Sequence, residues 1–352
     1  MTTAHINKIA TATPEYDMHR PFLDFAENNF EDTKQRMLFR RMVERANISH
    51  RWTHVPGIAD FYKDGPNDID LRTRMVLYEQ YAPKMAVETV NKLDLGPATA
   101  EITHLIVVTC TGFFTPGIDF AIMNNCGVPT SVERTQVAFM GCFSGVNGIK
   151  LAHHIVRSEP QAKVLVVALE LSSLHLQASQ DLETMLAYTI FGDGCAAALI
   201  TAEEAGIAMD SFKALVIPGT ENLMTLKIGE RSVEMYLSGK VPNALGKALQ
   251  EGDAMLLILD GAKKQSIDLW AIHPGGRSIL DAVARAVELT EEDLAISRSV
   301  LNNYGNLASA TILYVFAEIL RQNEDGELSG QTGCALAFGP GLTAETMLFR
   351  AA

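Results

Sequence analysis

The sequence predicts an α/β fold built in packed layers. Two continuous apolar runs, HLIVVTC over His104–Cys110 and KVLVVAL over Lys163–Leu169, suit strands buried on both faces. Stretches with apolar residues three and four apart follow such runs, as expected for helices with one buried face. The strand-then-helix unit recurs in both halves of the chain, which points to helices layered on sheet. The character of the sequence changes around Ala205–Pro218. That change divides the chain into an N-terminal half over 1–205 and a C-terminal half over 206–352.

The elements follow in order. His5–Ala12 alternates and stops before Pro14, which predicts a first strand, and Arg20–Phe30 reads as a helix. Lys34–Arg51 is the markedly basic segment, with Lys34, Arg36, Arg40, Arg41, Arg45 and Arg51 against Glu44 alone. On a helix, Lys34, Arg41 and Arg45 share a face with Leu38. A solvated face explains most charge runs, but here the balance opposes that of the whole protein, so a phosphate-bearing ligand competes with it. Met75–Leu95 reads as helix with a restart at Pro83. After the His104–Cys110 strand, TGFFTPGID reads as a turn, and Phe120–Asn125 as a helix leading to a central strand. Lys163–Leu169 is expected to end at Glu170, where such sheets present their chemistry. FGDG at Phe191–Gly194 reads as a tight turn into a strand.

In the second half, alternation over Leu226–Leu237 fits a hairpin, and Pro242–Gln250 a helix with Pro in its first turn. Asp268–Ile272 is an apolar strand ending at His273, followed by PGG and a helix over Ser278–Leu289. Thr290 is expected to cap the next helix. LNNYGN leads into a helix over Leu307–Arg321, and the chain closes with GCALAFGPG and a final strand expected near Thr346–Phe349.

One stretch organises the rest: QVAFMGCFSGVNGIKLAHHIVR, from Gln136 to Arg157. It reads as a short apolar strand, a turn, then a helix whose Phe143, Val146, Ile149, Ala152 and Val156 form one buried face. Cys142 falls at the helix start, where unpaired N–H groups and the macrodipole favour an anion. A thiol there is expected to titrate low, and its thiolate is a nucleophile. Taken alone, the stretch is equally compatible with an inert buried cysteine.

Composition narrows the class. With 47% hydrophobic and 20% charged residues, the chain can bury a substantial core. A net charge of -13 argues against non-specific nucleic-acid binding and against an anionic membrane as partner. Cys110, Cys126, Cys142, Cys195 and Cys334 form no CxxC pair and suit a reducing cytoplasm. The opening MTTAHINKIATATPEYD lacks the features of a signal peptide. No apolar run approaches the roughly 18 residues of a membrane span.

Cys142, His273 and Asn306 share a context. Each is read as following a strand, and each adjoins Gly at a turn into a helix. A single His is more often structural, and an Asn after Gly often only caps a helix. Together the three supply a nucleophile, a base and an amide donor, the groups that acyl transfer from a thioester requires. His153 and His154, mid-helix, are weaker candidates for the base.

GCFSGVNG around Cys142, FGDG from Phe191, HPGG from His273, YGNLASAT around Asn306 and AFGPGLT near the end occur in this order. The set resembles the type III polyketide synthases, the chalcone-synthase-like family, over nearly the whole chain. Initiating ketoacyl-ACP synthases share the Cys-His-Asn set but usually read HQAN at the His, so HPGG favours the CoA-using enzymes. The resemblance implies a thiolase-like fold in layers αβαβα, a homodimer, and iterative condensation of malonyl-CoA onto an acyl-CoA starter. It implies no metal or redox cofactor. By motif, Cys142 would carry the acyl chain, and His273 would keep Cys142 ionised. Asn306 with His273 would stabilise the enolate, and Phe191 would gate the junction of CoA tunnel and cavity. Arg41 and Arg45 match two of three CoA-phosphate positions. Leu38 occupies the third, with Lys34 one turn earlier.

Cys110 and Ala308 stand where plant members carry hydroxyls linked to Glu170. Thr115 replaces a Met that reaches the partner's cavity. His175, Leu226 and Met235 fall at cavity positions. CTGFFTPGID resembles bacterial enzymes that turn fatty acyl starters into alkylpyrones or alkylresorcinols. The expectation is therefore a cytoplasmic homodimeric type III polyketide synthase using a fatty acyl starter. The alternatives are a tetrahydroxynaphthalene synthase using malonyl-CoA alone, a ketoacyl-ACP synthase III-like enzyme, and an idle acyl-CoA-binding scaffold.

Overall fold

The fold was obtained as a computed structural model describing residues 2–57, 69–251 and 253–352. The strands are β1 (Ala4–Ala12), β2 (Tyr16–Asp17), β3 (Trp52–Thr53), β4 (His104–Thr109), β5 (Glu133–Ala138), β6 (Val164–Leu171) and β7 (Asp193–Thr201). They continue with β8 (Ile207–Val216), β9 (Met224–Ile228), β10 (Val233–Leu237), β11 (Leu269–Ile272), β12 (Thr332–Gly339) and β13 (Thr343–Ala351). Nine of them make one mixed sheet in the order β11-β12-β13-β8-β1-β7-β6-β4-β5. The two ends of that order come from the two halves of the chain, and they join where Ala4 pairs with Met209 and Ile6 with Ile207.

Alternation along each strand divides the interior into three cores. In β4, Leu105 and Val107 face one core and Ile106 and Val108 a second. In β12, Ala335 and Ala337 face that same second core, while Cys334 and Leu336 face a third. The second core is filled by the helices Ser144–Ser158 and Thr311–Gln322. The helices His19–Asn29, Leu71–Lys92 and Ile118–Cys126 cover the first core. Val241–Gln250 and Arg277–Val287 cover the third. The layering is αβαβα, as the resemblance implies.

Several expectations change. β5 is the edge of the sheet rather than a central strand, and Glu133–Gln136 are exposed or nearly so. The apolar run misleads because Phe139 leaves the strand at φ 59 and Met140 is exposed. Leu71–Lys92 is one helix straight through Pro83. Burial of Tyr78 and Ala82 before the proline, and of Met85, Ala86 and Val90 after it, offsets a cost of about 3 kcal/mol. Glu170 lies inside β6 instead of beyond its end. FGDG forms no tight turn, because Asp193 already begins β7 and pairs with Leu171. Thr290 closes a turn with Asp293, and the next helix starts later, at Ala295. Asn306 follows that helix, Ala295–Tyr304, and not a strand.

The helix Ser144–Ser158 meets the backbone of the short 3₁₀ turn Ala308–Ala310 that leads into Thr311–Gln322. A β-carbon on Gly145 would lie 2.2 Å from the Ser309 carbonyl oxygen and 2.9 Å from Ile312. Gly246, also inside a helix, has its nearest neighbour 3.9 Å away. Gly145→Ala should therefore destabilise by about 3 kcal/mol or more, the upper range of overpacking. Gly246→Ala should be neutral or stabilising by up to about 1 kcal/mol. Urea denaturation of both variants checks this, and equal midpoints would contradict the packing described.

Candidate active site

Local backbone geometry brings the Asn306 amide to Cys142 and to the turn that follows His273. Gly141 takes φ +89, and a β-carbon there would strike Pro340 at 2.3 Å. Its carbonyl accepts from Ser144 N at 3.0 Å and Ser144 Oγ at 2.6 Å, which starts the helix directly after Cys142. His273 continues the line of β11, donating its N–H to Leu336 O at 2.8 Å before the Gly-Gly turn. Asn306 is held by its own chain. Its Oδ1 accepts from Ala308 N at 2.8 Å and from Thr311 Oγ1 at 3.3 Å. With the oxygen so engaged, the NH₂ must face the other way. It lies 3.9 Å from Cys142 Sγ and 3.4 Å from Gly275 O, in the turn that follows His273. The same turn places Ala308 at φ 46, a left-handed conformation that costs a non-glycine residue about 1 kcal/mol or more.

Phe191 joins this group through the backbone. Gly192 N donates to Asn306 O at 3.1 Å, and Asn306 N donates to Ile190 O at 2.7 Å. The ring packs with Cys142 and Ala308, against Ile190 and Met235. Cys142, Phe191, Met235 and Ala308 border a cavity of about 70 Å³, whose wall also includes Cys110, His175 and Leu226. Leu176, Tyr188, Met224, Val233 and Pro340 also line it, and sequence reasoning missed them. The Leu226–Leu237 alternation pointed to the hairpin, but not to which of its faces turns inward.

The remaining candidates lie elsewhere. Glu170 does not line the cavity; it is fully buried behind it and accepts from Cys110 N at 2.9 Å, Thr111 Oγ1 at 2.7 Å and Ser309 Oγ. The hydroxyls around it thus come from Thr111 and Ser309, one residue beyond Cys110 and Ala308. His175 donates Nε2–H to Thr111 O at 2.7 Å and accepts Val233 N at 3.1 Å, which ties the hairpin to the sheet. Thr115 is exposed on its loop and does not touch the cavity of its own chain. Lys34, Arg41 and Arg45 are exposed on and just after the helix Thr33–Glu44, beside exposed Met37, Leu38 and Met42. Arg40 instead pairs with Glu27, and Arg51 is fully buried, so neither belongs to a phosphate-binding face.

Electrostatics at the site are dominated by burial. Burial pushes the Cys142 thiol up to about 12, against the pull of the Asn306 amide. Burial drives His273 down to about 3, and neither ring nitrogen has a hydrogen-bond partner among the described residues. The expectation of a low thiol is therefore corrected. The helix start is outweighed by the cost of placing a lone anion in a dry site. Burial thus pushes each of the two groups toward its neutral form. Among the described residues, no group of three His, Cys, Asp or Glu side chains could hold a metal ion. A raised thiol carries more thiolate as pH rises. Alkylation of Cys142 by iodoacetamide, read by peptide mass, should thus climb about tenfold per unit between pH 7 and 9. A plateau in that range would contradict a thiol raised by burial.

Known proteins match this chain over nearly its whole length. The family described as chalcone and stilbene synthases, N-terminal domain, matches residues 3–204, and its C-terminal domain matches residues 208–352. The chain is 32% identical to the alpha-pyrone synthesis polyketide synthase-like Pks18 of Mycobacterium tuberculosis, covering 99% of this chain and 91% of that protein. It is 30% identical to bisdemethoxycurcumin synthase of Oryza sativa subsp. japonica, covering 99% and 92%. The crystal structure of PKS-I from the brown alga Ectocarpus siliculosus superposes with a TM-score of 0.91 at 26% identity, covering 100% of this chain and 99% of that one. The chain belongs to the chalcone and stilbene synthases, the type III polyketide synthase family of acyltransferases.

Proposed function

We propose that this enzyme extends a fatty acyl-CoA starter with malonyl-CoA and closes the product as an alkylpyrone or alkylresorcinol. The observation that carries the proposal is the cavity at Cys142. Leu176, Phe191, Met224, Leu226, Val233 and Met235 give it an apolar wall, in which two methionines can repack around a flexible chain. At about 70 Å³ it holds on the order of two waters. A long chain therefore requires the hairpin β9–β10 or Phe191 to shift.

The chemistry follows from the three residues. Cys142 Sγ attacks the starter thioester carbonyl while His273 takes the thiol proton and passes it to the departing CoA thiolate. Malonyl-CoA then loses CO₂, and the electron pair left behind becomes an enolate. Its oxygen is met by the His273 imidazole and the Asn306 amide. The carbanion attacks the acyl thioester and expels Cys142, giving a CoA ester two carbons longer. Transfer back to Cys142 repeats the cycle. Attack by an enol oxygen on the final thioester closes a pyrone and releases the thiol. Decarboxylation supplies the carbanion, so the scheme uses CoA thioesters and no further cofactor. Arg41, Arg45 and Lys34 would meet the CoA phosphates.

The exposed loop carrying Thr115 and the open edge β5 fit a homodimer. The five cysteines are all unpaired, and no helix among the described residues is long and apolar enough to cross a membrane, in keeping with a cytoplasmic enzyme. The alpha-pyrone relationship favours lactone closure. The test is competition among acyl-CoA starters in one pot with malonyl-CoA, read by product mass. Each buried CH₂ contributes about 0.8 kcal/mol, so medium and long chains should outcompete acetyl and aromatic starters by roughly fourfold or more per carbon until the cavity is full. A pentaketide naphthalene made as efficiently from malonyl-CoA alone would favour the naphthalene reading. A single condensation that requires acyl carrier protein would favour the ketoacyl synthase reading.

A further inference from the structure

The residues that hold Phe191 and Asn306 in place include one that touches neither the cavity nor Cys142. Arg51 is fully buried. Its Nη1 donates to Tyr188 O at 2.9 Å and to Phe191 O at 2.8 Å. Its Nε donates to His19 Nδ1 at 2.9 Å, and its guanidinium lies 5.1 Å from the Phe22 ring centroid. The aliphatic stem packs on the glycines beside Phe191 and Asn306. A β-carbon on Gly305 would lie 2.9 Å from Arg51 Cγ, and one on Gly192 would lie 3.5 Å from Arg51 Cβ.

The placement is costly, which makes it informative. An arginine sealed in the interior forfeits its hydration and is tolerated where its donors are needed. Here they satisfy two carbonyls at the end of the helix Leu182–Tyr188 and at Phe191, both buried or nearly so. Lysine offers no planar fork and cannot reproduce donation to two carbonyls and an imidazole at once.

We propose that Arg51 is a positioning residue for the bridged Phe191–Asn306 pair, setting the Asn306 amide against the reacting centre and the Phe191 ring at the cavity mouth. The proposal rests on the roles assigned above to Asn306 and Phe191. Because the bridge is made by backbone bonds, a shift at Phe191 O passes directly to Asn306 N and O. Loading of Cys142 depends on the thiol and on His273, which the bridge reaches only through the long Asn306 amide contacts at 3.9 Å to Cys142 Sγ and 3.4 Å to Gly275 O. Arg51 should therefore matter much more for decarboxylation than for loading.

The experiment compares Arg51→Lys with the parent in two assays. One is release of CO₂ from malonyl-CoA without starter. The other is acylation of Cys142 by hexanoyl-CoA, read by intact-protein mass. Misplacement by a fraction of an ångström should lower decarboxylation at least about tenfold. Loading should stay within about threefold, and the thermal midpoint of the folded fraction should stay sharp. A merely structural role would lower both assays in proportion to the folded fraction. That result, or parental decarboxylation, would overturn the proposal. Should Arg51→Lys fail to fold, His19→Leu replaces it. That variant removes only the acceptor that orients the guanidinium, and the same split decides. Asn306→Ala run alongside separates two failures. If it also keeps decarboxylation, the role of Asn306 falls. If it loses decarboxylation while Arg51→Lys keeps it, the positioning role alone falls.

Discussion

The backbone of Gly145 lies against the carbonyl of Ser309 with no room for a β-carbon, and the site depends on that approach. Cys142 precedes Gly145 by three positions, and Asn306 precedes Ser309 by three. Seating the first turn of the helix Ser144–Ser158 on the turn Ala308–Ala310 carries the sulfur and the amide to 3.9 Å of each other. That helix and Thr311–Gln322 are clamped between half-sheets whose inward residues are almost all fully buried, so the contact has little freedom to slide. The placement of Cys142 against Asn306 is a consequence of how the central layer packs.

The polar groups around that contact are almost all spent on structure. Glu170 is occupied by Cys110, Thr111 and Ser309. His175 holds Thr111 and Val233, and Asp193 holds the main chain and hydroxyl of Ser173. His273 differs, since both its nitrogens lack protein partners among the described residues. In the proposed scheme those nitrogens are the ones that would meet the substrate. The neutrality of His273 suits the scheme, because a neutral imidazole can accept the Cys142 proton.

Much of this was legible in the sequence, and the failures share a cause. The buried strands β4 and β6 announced themselves as unbroken apolar runs, and the Cys142 helix by its apolar period. The three candidate residues stand out because each sits in a glycine-marked motif. What periodicity cannot reveal is which strand ends up at an edge. Val137 and Ala138 look like core, yet β5 has no neighbour on one side. Composition likewise cannot separate Arg51 from Arg41. Both lie in one basic run, and only the tertiary fold buries the first and exposes the second. The Gly-Asp-Gly sequence after Phe191 has turn chemistry, but its glycines serve close packing on Tyr304 and Leu307 instead. Tertiary contact overrode local preference in each case.

The central claim is that Cys142 carries the chain while His273 and Asn306 alone manage the enolate. Cys142→Gln tests it most directly, since an amide replaces the acyl thioester without supplying a nucleophile. The account expects this variant to release CO₂ from malonyl-CoA and form no polyketide, and expects the release to fall by roughly 10²-fold when Asn306→Ala is added. Polyketide from Cys142→Gln, or equal CO₂ release with and without Asn306, would contradict the account.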